Sequence, residues 1–330
     1  MRVIGSRRRF PLAARESYGP SPGQSPIHTM PLAFHKYHGC ANDFVLLDLV
    51  AEPAWSEVDL AAASPFLCDR RRGIGADQVL VLEQGDSADS VAMRIFNADG
   101  SAAGMCGNGL RCAARHARDR MGRAANPVMI EVRFAGGVRP CPVTLDLGPG
   151  GDVMAATVDM GVPVFEPAKI PTLLEARGGR VINVPLPPDL AALCATSGAS
   201  LEPLASCVSM GNPHLVLFGR RPTPAVAASL GAVLEVATWF PERVNVHFCE
   251  VHAPDRLSIV SWERGAGLTP ACGSGACASV VVAATSGRTH ADVAVDMPGG
   301  QVRVRMSDAG RVFLTGPAVR AFDGHVSSPA

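Results

Sequence analysis

The stretch WERGAGLTPACGSGACA, Trp262–Ala278, places Cys272 directly before Gly273-Ser274-Gly275, with the apolar run Ala276–Ala284 behind it. A small-residue turn opening an apolar helix puts Cys272 at a helix N-terminus. The first N–H groups of a helix have no intrahelical partner and its dipole is positive there, so the position favours an anion. A thiol so placed is expected to ionise below the ~8.5 of free cysteine. Read alone, the same residues also suit a buried structural cysteine beside a glycine turn.

A second copy decides between the two readings. Asn97–Ala114 reads NADGSAAGMCGNGLRCAA, with Cys106 followed by Gly107-Asn108-Gly109. In each copy a further cysteine follows five or six residues on, Cys112 in one and Cys277 in the other. Cys106 and Cys272 stand 166 residues apart, about half of the 330-residue chain. That spacing predicts two similar domains, each offering one helix-capping thiol. Two such thiols across a cleft suit a reaction that takes a proton from one face of a carbon and returns one to the other.

The chain is long enough for two domains with sizeable cores. Its composition is that of a globular protein, 47% apolar and 18% charged. Thirty basic and thirty acidic residues leave no basic footprint for nucleic acid, and 5% aromatic residues offer little for base stacking. The longest apolar run is too short to span a membrane. The ten cysteines show no C-x-x-C spacing and complete no zinc pattern with His35 and His38, so no metal is expected. Cys40, Cys68, Cys141, Cys194, Cys207 and Cys249 read as small buried hydrophobes.

Residues 1–30 carry five arginines, four prolines and a single acid. They read as an extension upstream of a start at Met30, with a plastid-type transit peptide as the alternative. Beyond them, strands are expected at Ala33–Tyr37, Phe44–Leu49, Val79–Glu83, Val91–Asn97, Met129–Phe134, Val138–Leu147, Ala155–Met160, Val181–Leu186 and Ser206–Met210. Others are expected from Ser258, over Asp292–Asp296 and Gln301–Met306, and at Val312–Leu314. Asp59–Cys68 reads as a helix. Arg70-Arg71-Arg72 reads as a solvated cluster, because Gly73-Ile74-Gly75 completes no phosphate-binding fingerprint. Leu147–Asp152 is the expected linker between domains. Gly211-Asn212-Pro213-His214 breaks an apolar run, either as a plain β-bulge or as a bend that serves a site.

Seven segments together resemble the diaminopimelate epimerase family, a group of cofactor-independent amino-acid epimerases. They are FHKYHGCANDFVLLD (34–48), RRGIGADQ (71–78), FNADGSAAGMCGNGLRCAAR (96–115), SMGNPH (209–214), FPERVNV (240–246), WERGAGLTPACGSGACA (262–278) and MPGG (297–300). They run in the family's order from about residue 32 onward. The resemblance implies an α/β (α+β) fold of two pseudo-symmetric domains, each a curved, mainly antiparallel sheet wrapped around a central helix. The C-terminal strand would return to the first half. The domains would then be 31–150 plus about 318–330, and 151–317. It implies interconversion of LL- and meso-diaminopimelate, a step towards lysine and peptidoglycan, by a cytoplasmic enzyme without cofactor or metal, with a homodimer as its possible assembly.

On the same resemblance, Cys106 and Cys272 are the two catalytic proton carriers. The backbone around Gly107-Asn108 and Gly273-Ser274 would face the substrate α-carboxylate, where glycine permits close approach. Asn42 and Gln78 match positions near the reacting end; Asn97, Asn212, Asn245 and Arg264 match positions at the distal end. Glu263 and His214 match polar partners of the substrate amine and the cysteines. Leu268 and Pro270 depart from the family pattern before Cys272, and Cys40-Ala41 departs from it before Asn42. The rival readings are a two-thiol racemase of another amino acid, such as proline, and a non-catalytic binding module of the same fold. The asparagines and Arg264 disfavour the first, and retention of both cysteines disfavours the second.

Overall fold

The computed structural model describes residues 31–327, so the reading of residues 1–30 lies outside the described chain. The first half runs β1 (Leu32–Gly39), β2 (Asn42–Asp48), α1 (Leu60–Cys68), β3 (Gln78–Gln84), β4 (Ser90–Asn97), β5 (Ala102–Ala103), α2 (Gly107–Asp119), β6 (Val128–Phe134), β7 (Gly137–Leu147) and β8 (Val153–Gly161). A connecting stretch holds β9 (Val184–Pro185) and α3 (Pro188–Thr196). The second half runs β10 (Leu204–Ser209), β11 (Pro213–Phe218), α4 (Pro224–Glu235), β12 (Asn245–Ala253), β13 (Arg256–Glu263), β14 (Gly267–Thr269), α5 (Gly273–Thr285), β15 (Asp292–Met297), β16 (Gly300–Met306) and β17 (Val312–Gly316). The last strand is β18 (Val319–Val326).

The two halves pair their strands in the same order. In the first, β1–β2 is antiparallel, β2–β3 parallel, β3–β4 and β4–β5 antiparallel, β4–β6 parallel, and β6–β7–β8 antiparallel. The second repeats this from β10 to β17, strand for strand. β8 pairs with β17 and joins the halves at the centre. Each half then sends its next strand to the other's opening: β9 lies on β10, and β18 returns to β1.

Side-chain alternation along the strands builds a core on each face of each sheet. In β2 and β3, Phe44, Leu46, Leu80 and Leu82 pack with Leu110 and Ala114 of α2. Their neighbours Val45, Leu47, Val79 and Val81 pack with Leu60, Ala63 and Leu67 of α1. In the second half, Val216 and Phe218 pack with α5, while Leu215 and Leu217 pack with Leu230 and Leu234 of α4. Residues 275–283 of α5 are all buried, as expected of a helix that is apolar on every side and enclosed by sheet. Among the described residues, no helix is long and apolar enough to cross a membrane.

Several local expectations need revision. The linker expected at Leu147–Asp152 is the turn of the β7–β8 hairpin, closed by Gly148 N–H on Asp152 O at 2.8 Å. The first core continues beyond it through Val153, Ala156 and Val158. The break at Gly211–Pro213 is the turn of the β10–β11 hairpin, not a bulge, with Ser209 opposite Pro213. Of Val181–Leu186, only Val184–Pro185 is strand. Four elements were absent from the sequence reading, the two-residue β5 among them. The others are α3, α4 and the three-residue β14, whose mixed or short apolar patterns give no clear period.

The β1–β2 turn carries strain. Cys40 and Ala41 are its two central residues, with φ of +55° and +62°. Such turns favour Asn-Gly, since a Cβ crowds the left-handed region. Cys40 is kept there by burial in the second half's core, with its thiol directed at Gln301 O, 3.6 Å away. Ala41 is exposed and gains nothing comparable. Ala41→Gly is therefore expected to stabilise the protein by roughly 0.5–1 kcal/mol, the left-handed strain partly offset by the freer unfolded chain. A urea midpoint raised at constant m supports this, and a lowered midpoint contradicts it.

Candidate active site

Both cysteines are N-caps. Cys106 Sγ accepts the Gly109 N–H at 3.3 Å, and Cys272 Sγ accepts that of Gly275 at 3.3 Å. The two helix starts abut around Leu314 of β17. A Cβ added at Gly273 would lie 2.9 Å from Leu314 Cδ2 and 3.5 Å from Asn108 Oδ1 on the opposing helix. A Cβ at Gly107 would meet the same leucine at 3.3 Å. Glycine after each cysteine is what lets the N-termini approach.

The expected lowering of the thiols is overturned. Burial pushes Cys106 up to about 11, against the opposing hydrogen bond from Gly109. Burial, and after it the charge of Glu263, pushes Cys272 well above the ordinary thiol range. One or two N–H groups do not replace the water that the surrounding side chains exclude.

The partners of the two sulfurs differ. Cys272 donates to Glu263 Oε2 at 3.0 Å, while Thr269 donates to Glu263 Oε1 at 2.6 Å. Ser274 Oγ is 3.6 Å from the same sulfur. Burial raises the Glu263 carboxyl, so Glu263 and Cys272 compete for a proton at a dry site. Cys106 instead faces Asn42 Oδ1 at 3.9 Å. Asn42 is held from behind: its Nδ2 donates to Asp77 at 2.8 Å, and its Oδ1 accepts from Asn108 at 3.0 Å. Arg111, fully buried, donates to Asn108 Oδ1 at 2.8 Å and to Pro317 O at 3.2 Å.

Arg70 is exposed, as expected of a solvated cluster, but it is also ion-paired. It grips Asp43 through both terminal nitrogens, at 2.9 and 2.6 Å, and also reaches Asp77 at 2.9 Å. Burial would raise the Asp43 carboxyl, but hydrogen bonds from Arg70 and Lys36 outweigh it and hold the group below the usual range. Arg71 and Arg72 are exposed, as expected.

The remaining expected residues fall into three groups. Gln78 donates to Asn97 Oδ1 at 2.8 Å across β3–β4. Asn245 is buried and its side chain is taken up by backbone: Nδ2 donates to Pro213 O at 2.7 Å and Oδ1 accepts the Arg264 N–H at 3.0 Å. The exposed Arg264 side chain reaches Glu242 O at 2.9 Å. His214 touches neither sulfur; it bonds Asn212 and the buried His247, each at 2.8 Å. Sequence reasoning missed Arg111, Thr269, Asp77 and His247. Arg111 had a visible signal, because it sits in the repeated motif where the other copy has Cys277.

Known proteins are similar to this chain over most of its length. The family described as "Diaminopimelate epimerase" matches residues 34–166 and 206–321, which include both cysteines. "Diaminopimelate epimerase 1" of a Nostoc species is 40% identical over 296 residues, covering 89% of this chain and 99% of that protein. The "Diaminopimelate epimerase" of Desulfitobacterium hafniense is 39% identical over 290 residues, covering 88% and 96%. Among solved structures, a phenazine biosynthesis protein of the PhzF family from Bacillus anthracis superposes with a TM-score of 0.61 at 13% identity, covering 90% of this chain and 99% of that one. A hydroxyproline epimerase from Agrobacterium vitis gives 0.55 at 13% identity, covering 90% and 91%. Those two likenesses establish a shared fold of two sheet-wrapped halves. The sequence matches establish more: the chain belongs to the diaminopimelate epimerase family.

Proposed function

We propose that this protein is an isomerase that interconverts LL- and meso-2,6-diaminopimelate by moving protons between the α-carbon and the sulfurs of Cys106 and Cys272. The observation that carries the reading is the pair of thiol-capped helix starts abutting around Leu314. The family resemblance supports a cytoplasmic enzyme in lysine and peptidoglycan precursor synthesis, with a homodimer as its assembly.

An amino-acid α-proton is a very weak acid, so the base must be close, aligned and dry. One sulfur, as thiolate, takes the proton from one face; the other, as thiol, gives a proton to the opposite face. The charge that develops meanwhile spreads into the α-carboxylate. Backbone N–H groups around Gly107-Asn108 and Gly273-Ser274 would meet the carboxylate where that charge grows, and such donors contribute about 3–4 kcal/mol each in comparable sites. A bound α-ammonium would also offset the burial that raises both thiols.

Glu263 makes the Cys272 side reversible. The pair Cys272–Glu263 holds one proton between two acids that burial keeps from ionising together. When Cys272 acts as acid, the proton starts on sulfur and the carboxylate accepts its hydrogen bond. When Cys272 acts as base, Glu263 carries that proton and donates to the thiolate. Asn42, Asn108 and Gln78 would orient the reacting end, and Asn97, Asn212 and Arg264 the distal end, with Asn245 holding the backbone that carries Arg264.

Cys106→Ala and Cys272→Ala should each lower epimerisation by at least about 10²-fold, since a positioned acid or base contributes typically 10²–10⁴-fold. Chromatographic separation of LL and meso isomers measures this, and near-normal turnover in either variant contradicts the two-thiol reading. The raised thiol also fixes a pH dependence. With its pKa moved up to about 11, Cys106 in the free enzyme is thiol at neutral pH and becomes thiolate only as pH rises. Its alkylation by iodoacetamide, followed by mass spectrometry of the modified peptide, should accelerate continuously above pH 8. A rate already on its plateau at about pH 7 would mean that the helix start prevails over burial.

A further inference from the structure

Behind Asn212 runs a chain of hydrogen bonds through two buried histidines. Asn212 Oδ1 is 2.8 Å from His214 Nε2. His214 Nδ1 is 2.8 Å from His247 Nε2, and His247 Nδ1 is 2.9 Å from Ser261 Oγ. Both imidazoles are fully buried, and Ser261 is buried with them. Burial pushes both rings towards the neutral form, His247 down to about 3, while its own ring and Arg264 add to the effect on His214.

A neutral imidazole has one donor nitrogen and one acceptor. An amide oxygen carries no proton, so His214 donates from Nε2 to Asn212. His214 Nδ1 must then accept, which makes His247 Nε2 the donor. His247 Nδ1 accepts in turn from the Ser261 hydroxyl. With the Asn212 oxygen inward, every member is satisfied in this direction. The Asn212 oxygen is thereby held inward. Asn212 is half-buried, and among the described residues its Nδ2 group makes no hydrogen bond, so it remains available as a donor to a ligand.

We propose that His247 is a positioning residue: its Nε2–H makes His214 an obligate donor to Asn212, and this turns the Asn212 amide nitrogen outward to receive a substrate carboxylate. The opposite direction has the opposite consequence. With the protons on the Nδ1 atoms, His214 Nε2 becomes an acceptor, the Asn212 amide turns over, and its carbonyl faces outward to attract an ammonium. The tautomer of a buried histidine pair thus selects which end of a zwitterion Asn212 reads. A second contact fixes the ring in place. A Cβ at Gly275 would lie 2.2 Å from His247 Cε1, so the imidazole packs beneath the residue whose N–H caps Cys272. The identification of the carboxylate as that of diaminopimelate rests on the epimerase reading; the polarity of the chain does not.

Two measurements test this. Long-range proton–nitrogen NMR of the histidine-labelled wild-type protein, with signals assigned by loss in His214 and His247 variants, reads the tautomers directly. Both rings should be neutral and protonated on Nε2 between about pH 5 and 8, where an ordinary histidine titrates. An Nδ1-protonated or charged ring at either position overturns the proposal. The second measurement compares His247→Gln, whose amide can restore the donor, with His247→Met, which cannot. His247→Met should raise KM for LL-diaminopimelate at least tenfold, the magnitude of one hydrogen bond to a charged group, with kcat changed by less than about threefold. His247→Gln should recover most of that loss. Equal damage by both variants, or a loss confined to kcat, makes the role structural or catalytic and overturns the proposal. A wild-type protein that leaves diaminopimelate unchanged defeats the epimerase reading instead, and the NMR result still decides the polarity of the chain.

Discussion

Two helix N-termini meet across a single leucine, Leu314, and the rest of the fold serves that meeting. Like ends of two helix dipoles repel, and their first N–H groups lack partners. A sulfur caps each helix, and Leu314 fills the gap where a side chain at Gly273 or Gly107 would collide. The β8–β17 pairing sets the halves at this distance, and the exchange of β9 and β18 holds them there. An anion placed between the N-termini relieves the repulsion, which is why the arrangement suits a substrate whose carboxylate gains charge during reaction.

The symmetry of the backbone is not carried into the chemistry. Strand register puts Phe44 beside Gln78 in the first half and His214 beside Asn245 in the second. Asn97 in β4 answers to Glu263 in β13. The first thiol is therefore flanked by neutral amides, and the second by a carboxylate that shares its proton. Two equivalent sulfurs in unequal surroundings can hold different protonation states at one pH. A two-base exchange needs that difference.

Much of this was legible in the sequence, for identifiable reasons. The cysteine repeat revealed the two halves, because only glycine permits the helix starts to close on each other. Asp59 and Cys106 marked the starts of their helices, and apolar runs marked β2, β3 and α5. The helix at Pro224–Glu235 was missed because its apolar residues, packed beneath β11 and β12, follow no strong helical period. The thiol shifts were misjudged because a motif displays the helix dipole but not the walls that exclude water. His247 was missed because a buried polar residue without a motif is recognisable only once its partner, His214, is brought beside it by a neighbouring strand; the repeat marked the place of Arg111 but not its distant partner, Pro317.

The central claim is that two sulfurs on opposite faces handle different protons. Epimerisation of LL-diaminopimelate in D₂O, followed by proton NMR at early conversion, tests it most directly. The account predicts meso product carrying deuterium at the inverted α-carbon, while recovered LL substrate keeps its protium. Deuterium entering the LL substrate as fast as the product would mean that one base serves both faces, and the absence of meso product would contradict the reaction itself.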